Sequence, residues 1–116
     1  AVVWALGQLG KPYLWGGSGP DSFDCSGLVM RAWQAAGVQL PRTAAQQYGA
    51  SPLIPLASLK AGDLLYYATN IADPSTIYHV SMFLGGTKVV SAPQTGEVVR
   101  VQNFASPDLV PMGTRP

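Results

Sequence analysis

The stretch Pro12-Tyr13-Leu14-Trp15-Gly16-Gly17, followed by Phe23-Asp24-Cys25-Ser26-Gly27-Leu28-Val29, decides how this chain is read. A glycine-rich loop with aromatic anchors runs into Asp24, a suitable helix N-cap. From Cys25 onward, Leu28, Val29, Ala32, Trp33 and Ala36 recur at helical spacing. Gly37 stands where the helix should stop. Cys25 is the only cysteine of the chain and falls on the first turn of that predicted helix. There the partial positive charge of unpaired N–H groups can lower a thiol pKa from about 8.5 toward roughly 3.5 to 7.5. A lone cysteine is more often a small buried hydrophobe. Here loop, cap, thiol and apolar helix agree with one another, which favours a nucleophile.

Working outward, residues 1–9 carry Val2, Val3, Ala5, Leu6 and Leu9 at helical spacing, ending near Gly10 and Pro12. Residues 43–48 are compatible with a short helix between Pro41 and Pro52. β-rich runs are expected at 63–68, 78–84, 88–92 and 97–103, and residues 106–116, with three prolines, read as a tail over the surface. Helices precede strands instead of alternating with them, so the expected class is α+β with an antiparallel sheet. The stretch 69–78 is long for a strand connection and is expected to wall a cleft.

His79 is the only histidine. In its predicted strand it shares a face with Ser81 and Phe83, while Tyr78, Val80, Met82 and Leu84 take the other. A lone histidine is usually structural. Beside a poised thiol, an imidazole can instead take the thiol proton and return it to a leaving amine.

Composition narrows the field. With 116 residues the chain is one domain, 1–116, and one cysteine cannot form an intrachain disulfide. Charged residues make up 11% and the net charge is +1, which argues against nucleic acid as a partner. The longest apolar runs fall far short of the roughly 20 residues that cross a bilayer, so no membrane insertion is expected. The carboxylates are scattered, so neither a metal nor another cofactor is expected. A monomer is expected, since no long apolar edge or heptad is apparent. The chain opens inside an apolar pattern at Ala1, so a module cut from a longer parent is expected, with any signal peptide removed or lying upstream.

Four segments, Pro12-Tyr13-Leu14-Trp15-Gly16-Gly17, Asp24-Cys25-Ser26-Gly27, Gly62-Asp63 and His79-Val80, stand in the order found in the NlpC/P60 family of cell-wall cysteine peptidases, which the chain resembles over about residues 1–103. Within that family it looks nearest to the actinobacterial, including mycobacterial, secreted endopeptidases. The resemblance implies a papain-like core, location at the bacterial cell envelope, and hydrolysis of peptidoglycan stem peptides at the bond joining D-γ-glutamate to diaminopimelate or lysine. It implies Tyr13 beside the thiolate at the oxyanion, Asp24 and Ser26 at the amino end of the stem, and partner cell-wall enzymes engaged through other regions of the parent. Trp15 and Trp33 are expected to pack, and Arg42 and Gln46 to line the groove.

The family also places a polar residue on the next strand to orient the imidazole. The matching position here is Ser91. A two-residue Gly85-Gly86 turn would send Ser91 to the wrong face, whereas a three-residue loop pairs Leu84 with Lys88 and Ser81 with Ser91, setting Ser91 diagonal to His79. The latter register is predicted, with Ser91 reaching His79 poorly and with reduced activity as the consequence; Gln94 or a backbone carbonyl is the substitute orienter. The rivals are a peptidoglycan-binding module that has lost useful turnover and another papain-like activity, an amidase or acyltransferase.

Overall fold

The computed structural model describes Ala1–Pro116. Three helices come first, α1 (Val2–Leu6), α2 (Cys25–Ala35) and α3 (Ala44–Tyr48), and six strands follow: β1 (Leu53–Pro55), β2 (Leu64–Ala68), β3 (Ile77–Gly85), β4 (Lys88–Ser91), β5 (Arg100–Asn103) and β6 (Met112–Thr114). The strands make one sheet in the order β1-β6-β2-β3-β4-β5, with every pairing antiparallel. No helix is long and apolar enough to cross a membrane.

The apolar stripe of α2, with Leu28, Val29 and Ala32 fully buried, explains the packing. It lies against Val80, Met82 and Val90 in a core that also holds Leu64, Tyr66 and Ala68. The opposite face of the sheet buries less: Leu65, Phe83 and Val89, covered by Leu56, Leu59, Phe104 and Leu109. His79 and Ser81 belong, by alternation, with Phe83 on this second face.

Two regions depart from the sequence expectation. Residues 106–116 are not simply a surface tail, because Met112–Thr114 forms β6 between β1 and β2. The segment before the sheet likewise contributes β1. The signal that fixes β6 lies elsewhere in the chain: buried Asp63 accepts bonds from Arg115 Nε at 2.9 Å and Nη2 at 2.7 Å, and Thr114 Oγ1 meets Tyr66 Oη at 2.7 Å. Three residues with a proline before them offer too little periodicity to be seen from sequence. Gly62 shows why the Gly-Asp pair is needed. Its φ is +97°, the Trp33 ring lies against the position of a Cβ, and Trp33 Nε1 donates to its carbonyl at 3.2 Å.

The β3–β4 hairpin mixes the two turn geometries considered. Gly85 pairs with Lys88 across Gly86-Thr87, and an irregularity between Phe83 and Gly85 absorbs Leu84. From Phe83–Val89 and Met82–Val90 onward the ladder runs in the register expected for the longer loop, which carried one step further sets Ser81 opposite Ser91.

Candidate active site

Asp24 adopts an extended backbone (φ −91°, ψ 178°), and its Oδ1 accepts the Gly27 N–H at 2.7 Å, so the helix starts at Cys25. The loop before it is pinned by main-chain bonds: Leu14 N–H to Phe23 O at 3.0 Å, Gly17 N–H to Leu14 O at 2.8 Å and Asp24 N–H to Gly17 O at 2.9 Å. A Cβ on Gly27 would run into the Gly17 carbonyl, so only glycine lets loop and helix meet there.

Arg42, on the segment leading into α3, closes the arrangement. Nη1 donates to Asp24 Oδ1 at 3.0 Å and Ser26 Oγ at 2.9 Å, while Nη2 donates to Asp24 Oδ2 at 2.8 Å and Gly17 O at 3.3 Å. This is a bidentate, charge-assisted pair. Asp24 is therefore cap and ion-pair partner together, and the ordinary guanidinium pKa is raised further by that bond. Behind it the fully buried Gln47 amide donates to Ser26 O at 3.1 Å and Pro41 O at 2.9 Å, tying α3 to α2.

Cys25, Tyr13, Asp24, Ser26 and Arg42 line one hollow of about 390 Å³, walled opposite by Ile77 and Tyr78. The long connection thus supplies a wall through its last residues. Trp15 also borders this hollow, but at 84% exposure it is a rim residue and not the packing residue expected; Trp33 does pack. Gln46 stays out of the groove and completes a capping box with Thr43. Burial pushes the Cys25 thiol above its ordinary value, and the Asp24 charge adds to this, against backbone N–H groups of Val80, Ser26 and Cys25 itself that favour the thiolate. The helix-terminus argument for a depressed thiol pKa is thus outweighed by desolvation. Burial, then the charges at Cys25 and Asp24, also raise Tyr13.

His79, the residue before Val80, borders a second hollow of about 260 Å³ with Gln94, Glu97, Arg100 and Gln102; Tyr78 lines both hollows. The thiol lies against the Val80 N–H, one residue from His79, and no hydrogen bond joins thiol to imidazole. The His79 ring leans on Tyr67, centroids 5.3 Å apart, and burial pushes it down to about 4 with no charged or hydrogen-bonding partner opposing. With the thiol raised and the imidazole lowered, both are neutral at rest. Ser91 is fully buried and does not orient the ring: its Oγ accepts from Gln102 Nε2 at 3.4 Å. Gln94 is likewise engaged, donating to Glu97 Oε1 at 3.0 Å. Sequence reasoning missed Gln102, which β5 carries onto the face of Ser91; its only sequence signal is its place on the fourth β-rich run. No cluster of His, Cys, Asp and Glu suited to a metal occurs.

Comparison with known proteins bears on this arrangement. A gamma-D-glutamyl-L-lysine dipeptidyl-peptidase from Bacillus subtilis is 41% identical over 93 residues, covering 80% of this chain and 31% of its own length. The peptidoglycan endopeptidase RipA of Mycobacterium tuberculosis is 32% identical over 123 residues, covering 95% and 25%. The chain thus spans a minor part of these relatives. Among solved structures, the NlpC/p60 domain of the peptidoglycan hydrolase SagA superposes with a TM-score of 0.86 at 34% identity, over 99% of this chain and 95% of that one. A sequence profile described as the NlpC/P60 family matches residues 10–110. Glycine-rich loop, helix-capped cysteine, histidine strand and six-stranded antiparallel sheet agree with these likenesses, and the chain belongs to the NlpC/P60 family.

Proposed function

We propose that this chain is one catalytic domain from a longer, secreted peptidoglycan hydrolase, an endopeptidase that cleaves stem peptides at the D-γ-glutamyl bond to diaminopimelate or lysine. The observation that carries the reading is Cys25 on the first turn of α2, in an open cleft, with its sulfur against the Val80 N–H next to His79. Relatives named as peptidoglycan endopeptidases and as a gamma-D-glutamyl-L-lysine dipeptidyl-peptidase support it. His79 takes the thiol proton as sulfur attacks the carbonyl carbon, and the imidazolium gives that proton to the departing amine. The Cys25 N–H and the Tyr13 hydroxyl face the developing oxyanion. Water then attacks the thioester with His79 as base, releasing the γ-glutamyl carboxylate and the free thiol. Because both groups rest neutral, proton transfer accompanies attack, in contrast to a preformed thiolate–imidazolium pair.

Incubation with muropeptides of defined stem, read by mass spectrometry, tests this. Cleavage at the D-γ-glutamyl bond, absent in Cys25→Ala, supports it, whereas products of a different bond favour the amidase or acyltransferase. The imidazole without a partner, and Ser91 held by Gln102, favour one alternative, a wall-binding module of little turnover. Muropeptide binding with no cleavage by the unsubstituted protein would establish that alternative.

A further inference from the structure

On the endopeptidase reading, His79 must stay where it can exchange a proton with the thiol, yet no hydrogen bond holds either ring nitrogen. An imidazole turns on two side-chain bonds, so without such a bond its place is set by what it packs against. In the β2–β3 ladder Tyr67 stands directly opposite His79, and the two rings lie 5.3 Å apart between centroids, tilted by 46°. Residues opposite one another in an antiparallel pair have Cβ atoms about 4.5–5.5 Å apart, so the strand register itself imposes this contact. Just beyond, the ladder slips: Ala68 pairs with Ile77, which leaves Tyr78 without a partner strand residue, and its hydroxyl goes to Asp108 at 2.6 Å. Tyr67 is thus the residue that the sheet sets against the imidazole.

Tyr67 is itself held at its far end. Its hydroxyl donates to the Phe104 carbonyl at 3.0 Å and lies 3.4 Å from the hydroxyl of Ser81, which is fully buried two residues after His79 on β3. Its backbone bridges Leu109, and the whole residue is buried. The ring is therefore a fixed wall. The other polar groups around the hollow are engaged elsewhere: Glu97 and Arg100 pair with each other at 3.0 Å, and Ser91 takes the Gln102 amide. None of them opposes the burial that brings His79 down to about 4. Contact with a fixed ring limits where the imidazole lies and leaves both of its nitrogens free to exchange protons.

We infer that Tyr67 is the positioning residue for His79, its ring keeping the imidazole at the thiol by contact in place of a hydrogen bond. Tyr67→Leu removes the ring, whereas Tyr67→Phe keeps it and removes only the hydroxyl bonds. On one muropeptide, Tyr67→Leu should lower kcat about tenfold with KM within about twofold, while Tyr67→Phe should stay within about threefold of the unsubstituted protein. Because His79 is the only histidine, NMR reads its imidazole titration unambiguously and without turnover. The midpoint should rise from near 4 toward the ordinary histidine value in Tyr67→Leu, as the freed ring turns into the hollow and meets water, and should hold in Tyr67→Phe. A Tyr67 that serves stability alone would lower Tm in Tyr67→Leu and leave both the midpoint and kcat unmoved, which overturns the inference, as does an equal shift in the two variants. Tyr67→Met gives the same comparison where leucine prevents folding. If no muropeptide is cleaved even by the unsubstituted protein, the hydrolase reading fails by itself; a midpoint that rises only where the ring is lost still supports the inference, and an unmoved one overturns it.

Discussion

The hollow around Cys25 and the hollow around His79 are built on opposite terms. Around Cys25, Asp24, Ser26 and Arg42 are bonded to one another and to backbone until little capacity is left, while around His79 the imidazole has a tyrosine ring beside it and no polar partner. The difference teaches where this domain is preorganised. The thiol end is locked by the same bonds that begin α2, so its geometry comes with the fold. The histidine end depends on one strand position, and serine at 91 is too short and is already engaged with Gln102. Rigidity at the thiol and looseness at the base predict different responses to substitution.

The largest response should come from Cys25→Ala, which removes the attacking atom from the locked end. Hydrolysis of muropeptides should fall by at least about a thousandfold, to background, with the thermal transition little changed. Gly27→Ala should break the same end through packing, since the new methyl meets the Gly17 carbonyl and Asp24 Oδ1. A loss of about 3 kcal/mol by denaturant unfolding is expected. Arg42→Ala leaves the partly buried Asp24 without its counter-charge and should cost about 2 kcal/mol.

At the loose end the effects are smaller and sit in the pH profile. In the unsubstituted protein the acid limb of kcat/KM should fall near pH 4, where burial places His79, and not near 6.5. The alkaline limb should lie above the ordinary thiol value. Ser91→Glu puts a carboxylate on the face of His79, which favours the imidazolium and should move the acid limb up by about one pH unit, with a few-fold gain in rate at neutral pH. An unmoved limb would separate position 91 from the histidine. Stability should follow the same group: the unfolded chain binds a proton at His79 below about 6.5 and the folded chain only near 4, so folding weakens as pH falls through that window. The fall in Tm between those pH values should be smaller in His79→Asn.

Much of this was legible in the residues. The α+β class, the start of α2 at Cys25, the Asp24 cap, the Gly37 stop and the short helix after Pro41 are local matters of periodicity, capping and turn chemistry, and the structure has them where the sequence puts them. The segments that carry the family resemblance are also local, since a nucleophile loop needs its glycines and its cap within a few residues of the thiol.

What the tertiary structure alone decided is every property that depends on residues far apart in the chain. β6 exists because Asp63 and Tyr66 hold Arg115 and Thr114, partners some fifty residues away. Asp24 is an ion-pair partner as well as a cap because Arg42 folds back onto it. The thiol pKa rises instead of falling because burial by the packed sheet outweighs the local backbone N–H groups, and His79 stands without an orienter because β5 delivers Gln102 to Ser91. Sequence determines caps and turns, which are short-range. Charge balance and desolvation are sums over everything that packs around a group, and only the folded chain defines those neighbours.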